Sequence, residues 1–131
     1  MVYYFAYASN LSKQRMRQSC PDARPLFTAT LPNYRVIFTG WSREWRGGKA
    51  AVLSSRGDKV KGALYDVTDA CLRKLDKLEP GYSRMNVTVF DEDGQAHQAV
   101  TYLKTGQLDE AAPSQQYGEI IRQGYRDWGI V

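Results

Sequence analysis

The chain has 131 residues, of which 43% are apolar and 24% are charged, values typical of one globular domain spanning 1–131. It has no apolar run of the ~20 residues needed to cross a membrane, and Val2–Ala6 is too short for a signal peptide, so we expect a cytoplasmic protein without a membrane partner. The net charge of +4 is spread along the chain, which favours a solvated basic surface over a nucleic-acid site.

The N-terminal segment predicts a strand, a tight turn and a helix. The strand is Val2–Ala6, and the helix covers roughly Leu11–Ser19. Ser9 and Asn10 are both good N-cap residues for that helix. Such a turn presents unpaired backbone N–H groups beside a hydroxyl and an amide, and these groups can hold a carboxylate. The alternative interpretation is a capping turn without a ligand.

The middle of the chain is rich in predicted strands. After a helix-breaking segment at 20–25, the pattern predicts strands at Leu26–Leu31, Tyr34–Thr39, Ala50–Ser54 and Gly62–Val67, with a loop at Gly40–Lys49. Cys20 and Cys71 lack the spacing of a metal-binding motif, and we expect neither a disulfide framework nor a zinc site.

The second half predicts a hairpin and two helices. The hairpin joins Arg84–Phe90 to Gln98–Lys104 through a turn that contains an Asp-Gly pair. Apolar residues at helical spacing predict helices at Thr68–Glu79 and Ser114–Trp128. The elements together predict an α+β fold, with a mixed, largely antiparallel, barrel-like sheet and flanking helices.

Glu79 is the candidate catalytic residue. It follows Leu72 by seven residues and Leu75 by four, so it shares their apolar helix stripe, and Pro80-Gly81 then ends the helix. Burial and the negative end of the helix dipole both oppose ionisation of such a carboxylate. These are the conditions of a general base that works near neutral pH. The alternative is a frayed helix end with Glu79 in water.

Four segments, in order along the chain, resemble the γ-glutamylcyclotransferase-like family. Tyr3–Leu11 is similar to its N-terminal signature Tyr-Phe-Ala-Tyr-Gly-Ser-Asn-Leu, and Gly62–Tyr65 is similar to its Gly-x-x-Tyr strand. Leu75–Glu79, followed by Tyr82-Ser83-Arg84, resembles the Leu-Asp-x-x-Glu segment with the family's catalytic glutamate. Pro113–Tyr117 resembles its Pro-Ser-x-x-Tyr motif.

The resemblance implies the family's fold and an enzyme that closes a γ-glutamyl compound to 5-oxoproline, with no metal or cofactor. It implies Glu79 as general acid and base, and a substrate site formed by Tyr7, Ala8, Ser9, Asn10, Leu11, Tyr82 and Tyr117. The expected partner is a small γ-glutamyl substrate, and the expected assembly is a monomer or a homodimer. The alternative is a non-catalytic ligand-binding or interaction module on the same fold.

Two departures from the family pattern bear on this alternative. Ala8 replaces the family's usual glycine, which costs on the order of 1 kcal/mol if that position needs a positive φ. Pro80-Gly81 shortens the segment between Glu79 and Tyr82.

The loop Gly40–Lys49 is a possible rim of the site. Its residues Arg43, Trp45 and Arg46 could recognise a carboxylate on the leaving group, with the glycines as hinges. A plain surface loop is the alternative.

Overall fold

The computed structural model describes residues 2–104 and 108–130. In chain order, its strands are β1 (Val2–Ala6), β2 (Arg24–Ser42), β3 (Gly47–Val67), β4 (Tyr82–Phe90) and β5 (Ala96–Lys104). Its helices are α1 (Lys13–Ser19), α2 (Asp69–Leu78) and α3 (Gln115–Trp128), and a single 3-10 turn, Ser9–Leu11, precedes α1. None of these helices is long and apolar enough to cross a membrane.

The five strands form a closed barrel in the order β1-β3-β2-β4-β5. The parallel contact is between β1 and β5, where Tyr4 lies opposite Val100, and the other neighbours are antiparallel. The predicted α+β fold with a mixed, largely antiparallel barrel and flanking helices is therefore confirmed.

Two strands are much longer than the sequence pattern predicts. The predicted strands Leu26–Leu31 and Tyr34–Thr39 are both part of β2, and Ala50–Ser54 and Gly62–Val67 are both part of β3. Between the two predicted strands of β2, the pairing with β3 shows a register shift from Pro32 to Tyr34 and no break, and Asn33 there has a φ of 65°. Polar residues in the middle of β3 hid its continuity because that part of the hairpin is exposed to solvent.

The first helix begins later than predicted, and its N-cap is neither Ser9 nor Asn10. The chain first makes the 3-10 turn Ser9–Leu11, and the side chain of Ser12 then caps α1 by accepting a hydrogen bond from the amide of Arg15. The predicted caps fail because Ser9 and Asn10 are both buried within the 3-10 turn.

The buried residues form two clusters. One contains Phe5 of β1 together with Tyr117 and Ile121 of α3, and the other contains Leu72 and Leu75 of α2. Strand β1 contributes side chains to both clusters because successive strand residues point to opposite sides. The two clusters hold α3 and α2 against different surfaces of the barrel.

Cys20 and Cys71 form a disulfide, so the expectation that no disulfide is present is wrong. Cys20 follows the last residue of α1, and Cys71 lies in the first turn of α2. Packing of α1 against α2 brings the two residues together across 51 positions of sequence. Sequence spacing does not show this because the contact depends on the tertiary fold.

Candidate active site

A small cavity of about 30 Å³ lies where the turn after β1, the end of α2 and the start of β3 meet. Eleven side chains or backbone segments line it: Tyr4, Tyr7, Ala8, Ser9, Asn10, Lys49, Ala50, Glu79, Tyr82, Tyr102 and Tyr117. Residues that are distant in sequence thus form one small, tyrosine-rich cavity.

Glu79 is the C-cap residue of α2, and its side chain is only 13% exposed. Its Oε2 accepts a hydrogen bond of 2.6 Å from Nζ of Lys49, which is 14% exposed. The carboxylate therefore lies in the cavity and is paired with a lysine. The alternative of a frayed helix end, with the carboxylate in water, does not describe this geometry.

The Pro80-Gly81 segment makes a tight turn that brings Tyr82 beside Glu79. The carbonyl of Glu79 accepts a hydrogen bond of 3.1 Å from the amide of Tyr82, and Gly81 has a φ of 84°. Proline followed by a residue with positive φ is the pattern of a type II turn. The short segment thus closes the cavity wall and places both residues on it.

The turn after β1 forms the opposite wall. Ala8 has a φ of −138°, outside the left-handed region, so the cost expected for alanine at a positive φ does not apply. The side-chain amide of Asn10 donates a hydrogen bond of 2.9 Å to the hydroxyl of Tyr4, and the backbone carbonyl of Asn10 accepts one of 3.0 Å from the hydroxyl of Tyr65. These contacts fix the position of the turn. The backbone amides at the start of the 3-10 turn have no hydrogen-bond acceptor within the turn itself.

Three phenols have defined hydrogen bonds at the cavity. The hydroxyl of Tyr7 donates to the carbonyl of Tyr102 at 3.0 Å, and that of Tyr82 donates to the carbonyl of Ala50 at 2.6 Å. The oxygen of Tyr117 accepts a bond of 2.9 Å from the Ala50 amide, which leaves its own proton for another acceptor. Burial raises the pKa of each phenol above its ordinary value, so all three stay neutral at physiological pH.

Four residues that were predicted at the site do not line the cavity. The side chain of Leu11 is fully buried between the 3-10 turn and α3. Trp45 is 5% exposed and packs on the ring of Tyr117 with a centroid distance of 4.9 Å, while Arg43 and Arg46 are exposed in the β2–β3 turn. The predicted loop is short because β2 and β3 continue into it.

Close packing explains one glycine of that segment, Gly48. Gly48 is buried, its amide donates to the carbonyl of Ala112 at 2.8 Å, and a Cβ at this position would lie 2.0 Å from the carbonyl oxygen of Ala111. The glycine is therefore required by the close approach of the 110–113 segment to β3. This packing makes the base of the turn rigid.

Sequence reasoning missed Tyr4, Lys49 and Ala50 as lining residues, and Tyr102 of β5 lines the cavity with them. A single residue in a strand belongs to no motif that would mark it as part of a site, and its position in the cavity depends on closure of the barrel. The hydroxyl of Tyr102 also donates a bond of 2.7 Å to Oδ1 of Asp76, which accepts further bonds from Arg84. Among the described residues, no cluster of three or more His, Cys, Asp or Glu side chains could hold a metal ion.

Comparisons with known proteins point to a single family. Residues 4–128 match the family described as γ-glutamyl cyclotransferase, AIG2-like. The γ-glutamylcyclotransferase of Homo sapiens is 33% identical over 135 residues, covering 97% of this chain and 71% of that protein; the Bos taurus protein of the same name is 32% identical with the same coverage.

Solved structures show the same similarity in three dimensions. A structure of a γ-glutamyl cyclotransferase superimposes with a TM-score of 0.94 at 31% identity, covering 98% of this chain and 80% of the other. YkqA from Bacillus subtilis superimposes with a TM-score of 0.82 at 29% identity, covering 97% of this chain and 49% of the other. The whole barrel, with its helices, is shared.

Proposed function

This chain belongs to the γ-glutamyl cyclotransferase, AIG2-like family of enzymes, and we propose that it converts a γ-glutamyl amine or γ-glutamyl amino acid to 5-oxoproline and a free amine. The observation that carries the proposal is the position of the Glu79 carboxylate, in a small cavity opposite the turn at residues 8–10.

The proposed reaction is an intramolecular acyl transfer. Glu79 takes a proton from the substrate's α-ammonium, the freed amine attacks the γ-carbonyl carbon, and a five-membered lactam forms. The bond between that carbon and the leaving nitrogen then breaks as Glu79 returns the proton to the leaving nitrogen. The attacking nitrogen loses its second surplus proton to Glu79, which passes it to the departing amine, so that the amine leaves as an ammonium. Because nucleophile and electrophile belong to one molecule, much of the cost of bringing them together is already met.

The other cavity groups would orient the substrate and stabilise charge. The backbone amides of Ala8, Ser9 and Asn10 would hold the α-carboxylate or the oxyanion that develops on the γ-carbonyl. The rings of Tyr7 and Tyr82 would wall the cavity, and the free proton of Tyr117 would be donated to a substrate oxygen. A neutral phenol suits this role because it can donate without adding charge.

Two departures from the family pattern, Ala8 and the short Pro80-Gly81 segment, motivated the alternative of a non-catalytic module. Ala8 has a negative φ, and it lines the cavity beside Ser9 and Asn10. The proposal includes a cytoplasmic location and a monomer or homodimer.

The test is a panel of γ-glutamyl compounds incubated with the protein. It contains γ-glutamyl amino acids, glutathione, γ-glutamyl-ε-lysine and γ-glutamyl amines, and release of 5-oxoproline is measured by chromatography. We expect catalytic release from at least one member. Binding of these compounds without any 5-oxoproline would instead support the non-catalytic module.

A further inference from the structure

The cavity contains one pair of opposite charges. Among its described lining residues, Lys49 is the only cation and Glu79 the only anion, and their charged atoms are 2.6 Å apart. The remaining polar groups are tyrosine hydroxyls, one serine, one asparagine and backbone. A ligand group that lies beside one of these charges is therefore close to the other as well.

Burial of the pair favours ligands that carry both a positive and a negative charge. Both side chains are less than one-sixth exposed, and a charge in such a place is costly when its partner is removed. A ligand with a single charge that separated the pair would leave one member unmatched. A ligand with a cation and an anion on neighbouring atoms can satisfy both members at once.

We infer that Lys49 binds the α-carboxylate of the γ-glutamyl substrate while the α-amino group lies against Glu79. The inference rests on the proposed function and assigns it a specificity residue. An α-amino acid group carries its ammonium and carboxylate on one carbon, so it requires complementary charges side by side, as Lys49 and Glu79 are. With the carboxylate on Lys49, the amides at residues 8–10 are left for the γ-carbonyl oxygen.

Tyr82 keeps the lysine in position. Nζ of Lys49 lies 5.2 Å from the centroid of the Tyr82 ring, a cation–π distance, and the phenol is itself tied to the carbonyl of Ala50. Nζ of Lys104 lies 5.8 Å from the same ring, but Lys104 is not a lining residue. Lys104 is therefore a matched control: a cation beside the same tyrosine but outside the cavity.

The test compares two substrates that differ only in the group that Lys49 contacts. One is a γ-glutamyl compound with its α-carboxylate, and the other is the same compound with an α-carboxamide. We expect the wild-type protein to favour the carboxylate in kcat/KM by roughly 10- to 100-fold, the range of a charge-assisted hydrogen bond. Lys49→Met should abolish the preference, and Lys104→Met should retain it. The ratio cancels any effect of the variant on Glu79 itself.

A wild-type protein without the preference, or a Lys49→Met variant that keeps it, would overturn the assignment. So would a Lys49→Met effect confined to substrates whose leaving group carries a carboxylate. If Lys49→Met does not fold, Lys49→Gln, which keeps a donor for Glu79, replaces it.

Binding of 5-oxoproline and its carboxamide, measured by calorimetry, separates this inference from the proposed function. If no compound is turned over but Lys49→Met removes a wild-type preference for 5-oxoproline, the reaction is wrong and the Lys49 assignment stands. Without turnover and without such a preference, both are wrong.

Discussion

The hydroxyl oxygen of Tyr117 accepts a hydrogen bond of 2.9 Å from the amide of Ala50, so the first turn of α3 is tied to β3 inside the cavity. The carbonyl of Ala50 accepts from Tyr82 on the other side. One residue of β3 therefore connects the C-terminal helix to the strand that follows α2. The cavity wall depends on this connection.

Tyr117→Phe removes the acceptor of a buried amide. We expect the free energy of unfolding to fall by about 1–3 kcal/mol, because the Ala50 amide is left unsatisfied. Turnover should fall as well, since the proposed donor is lost. Chemical denaturation and the 5-oxoproline assay measure the two effects. The control is Tyr125→Phe on the same helix, whose hydroxyl has no hydrogen-bond partner among the described residues; equal effects of both changes would contradict the assigned contact.

Gly124 sets the distance between α3 and the 3-10 turn. A Cβ at Gly124 would lie 2.5 Å from Cβ of Leu11 and 2.9 Å from the backbone at Leu11 and Ser12. Gly124→Ala should therefore destabilise the fold by about 1–3 kcal/mol, as overpacking does. Gly118→Ala, in the same helix, meets only the flexible side chain of Arg122 at 3.4 Å and should be neutral or stabilising. Thermal melting of both variants decides the point, and a stable Gly124→Ala would be inconsistent with this packing.

The Cys20–Cys71 disulfide should stabilise the oxidised protein. In the chain-entropy model, a cross-link across 51 positions lowers the conformational entropy of the unfolded chain and so stabilises the folded state by about 4 kcal/mol. We expect a reductant to lower the Tm of the wild-type protein and to leave that of Cys20→Ala/Cys71→Ala unchanged. Thiol titration in denaturant should find no free thiol after oxidation and two after reduction. Two free thiols in the oxidised sample would show that the bond does not form.

Asp76 gives a pH dependence with a defined sign. The hydrogen bond from Arg84, followed by that from Tyr102, holds the pKa of Asp76 below its ordinary value. Since the folded pKa is the lower one, this stabilisation is fully present above about pH 4 and is lost as the pH falls through the unfolded and then the folded pKa. Urea unfolding should show Asp76→Asn less stable than wild type at pH 7, with a smaller difference at pH 3. A difference that does not change with pH would argue against the contact.

Local sequence patterns were sufficient for much of the fold. The helix at Ser114–Trp128 was placed within one residue because its cap, its apolar stripe and the terminal Gly129 all agree, and Gly129 has a φ of 67°. The hairpin of β4 and β5 was found for the same reason, since alternation and turn residues coincide. Agreement of several local signals is what made these predictions reliable.

The parts that sequence could not supply are long-range contacts. The placement of Glu79 in a cavity followed from its helix stripe, but its pairing with Lys49 arises only when β3 closes against α2. The burial of Trp45 against Tyr117 was missed for the same reason, because a Trp between charged residues resembles a surface loop. The disulfide likewise depends on how α1 packs on α2. Pairings of this kind require the assembled barrel.

The central claim is that Glu79 transfers the proton, and Glu79→Gln tests it most directly. The amide keeps the shape of the side chain and an acceptor for Lys49, but it cannot take a proton. The matched control is Glu119→Gln, which changes an exposed glutamate paired with Arg122 on α3. Folding of each variant is verified by circular dichroism.

The decisive measurement is the rate of 5-oxoproline release at saturating substrate. We predict that Glu79→Gln lowers this rate by at least ~100-fold while Glu119→Gln leaves it at the wild-type value. A folded Glu79→Gln variant that releases 5-oxoproline at the wild-type rate would contradict the account.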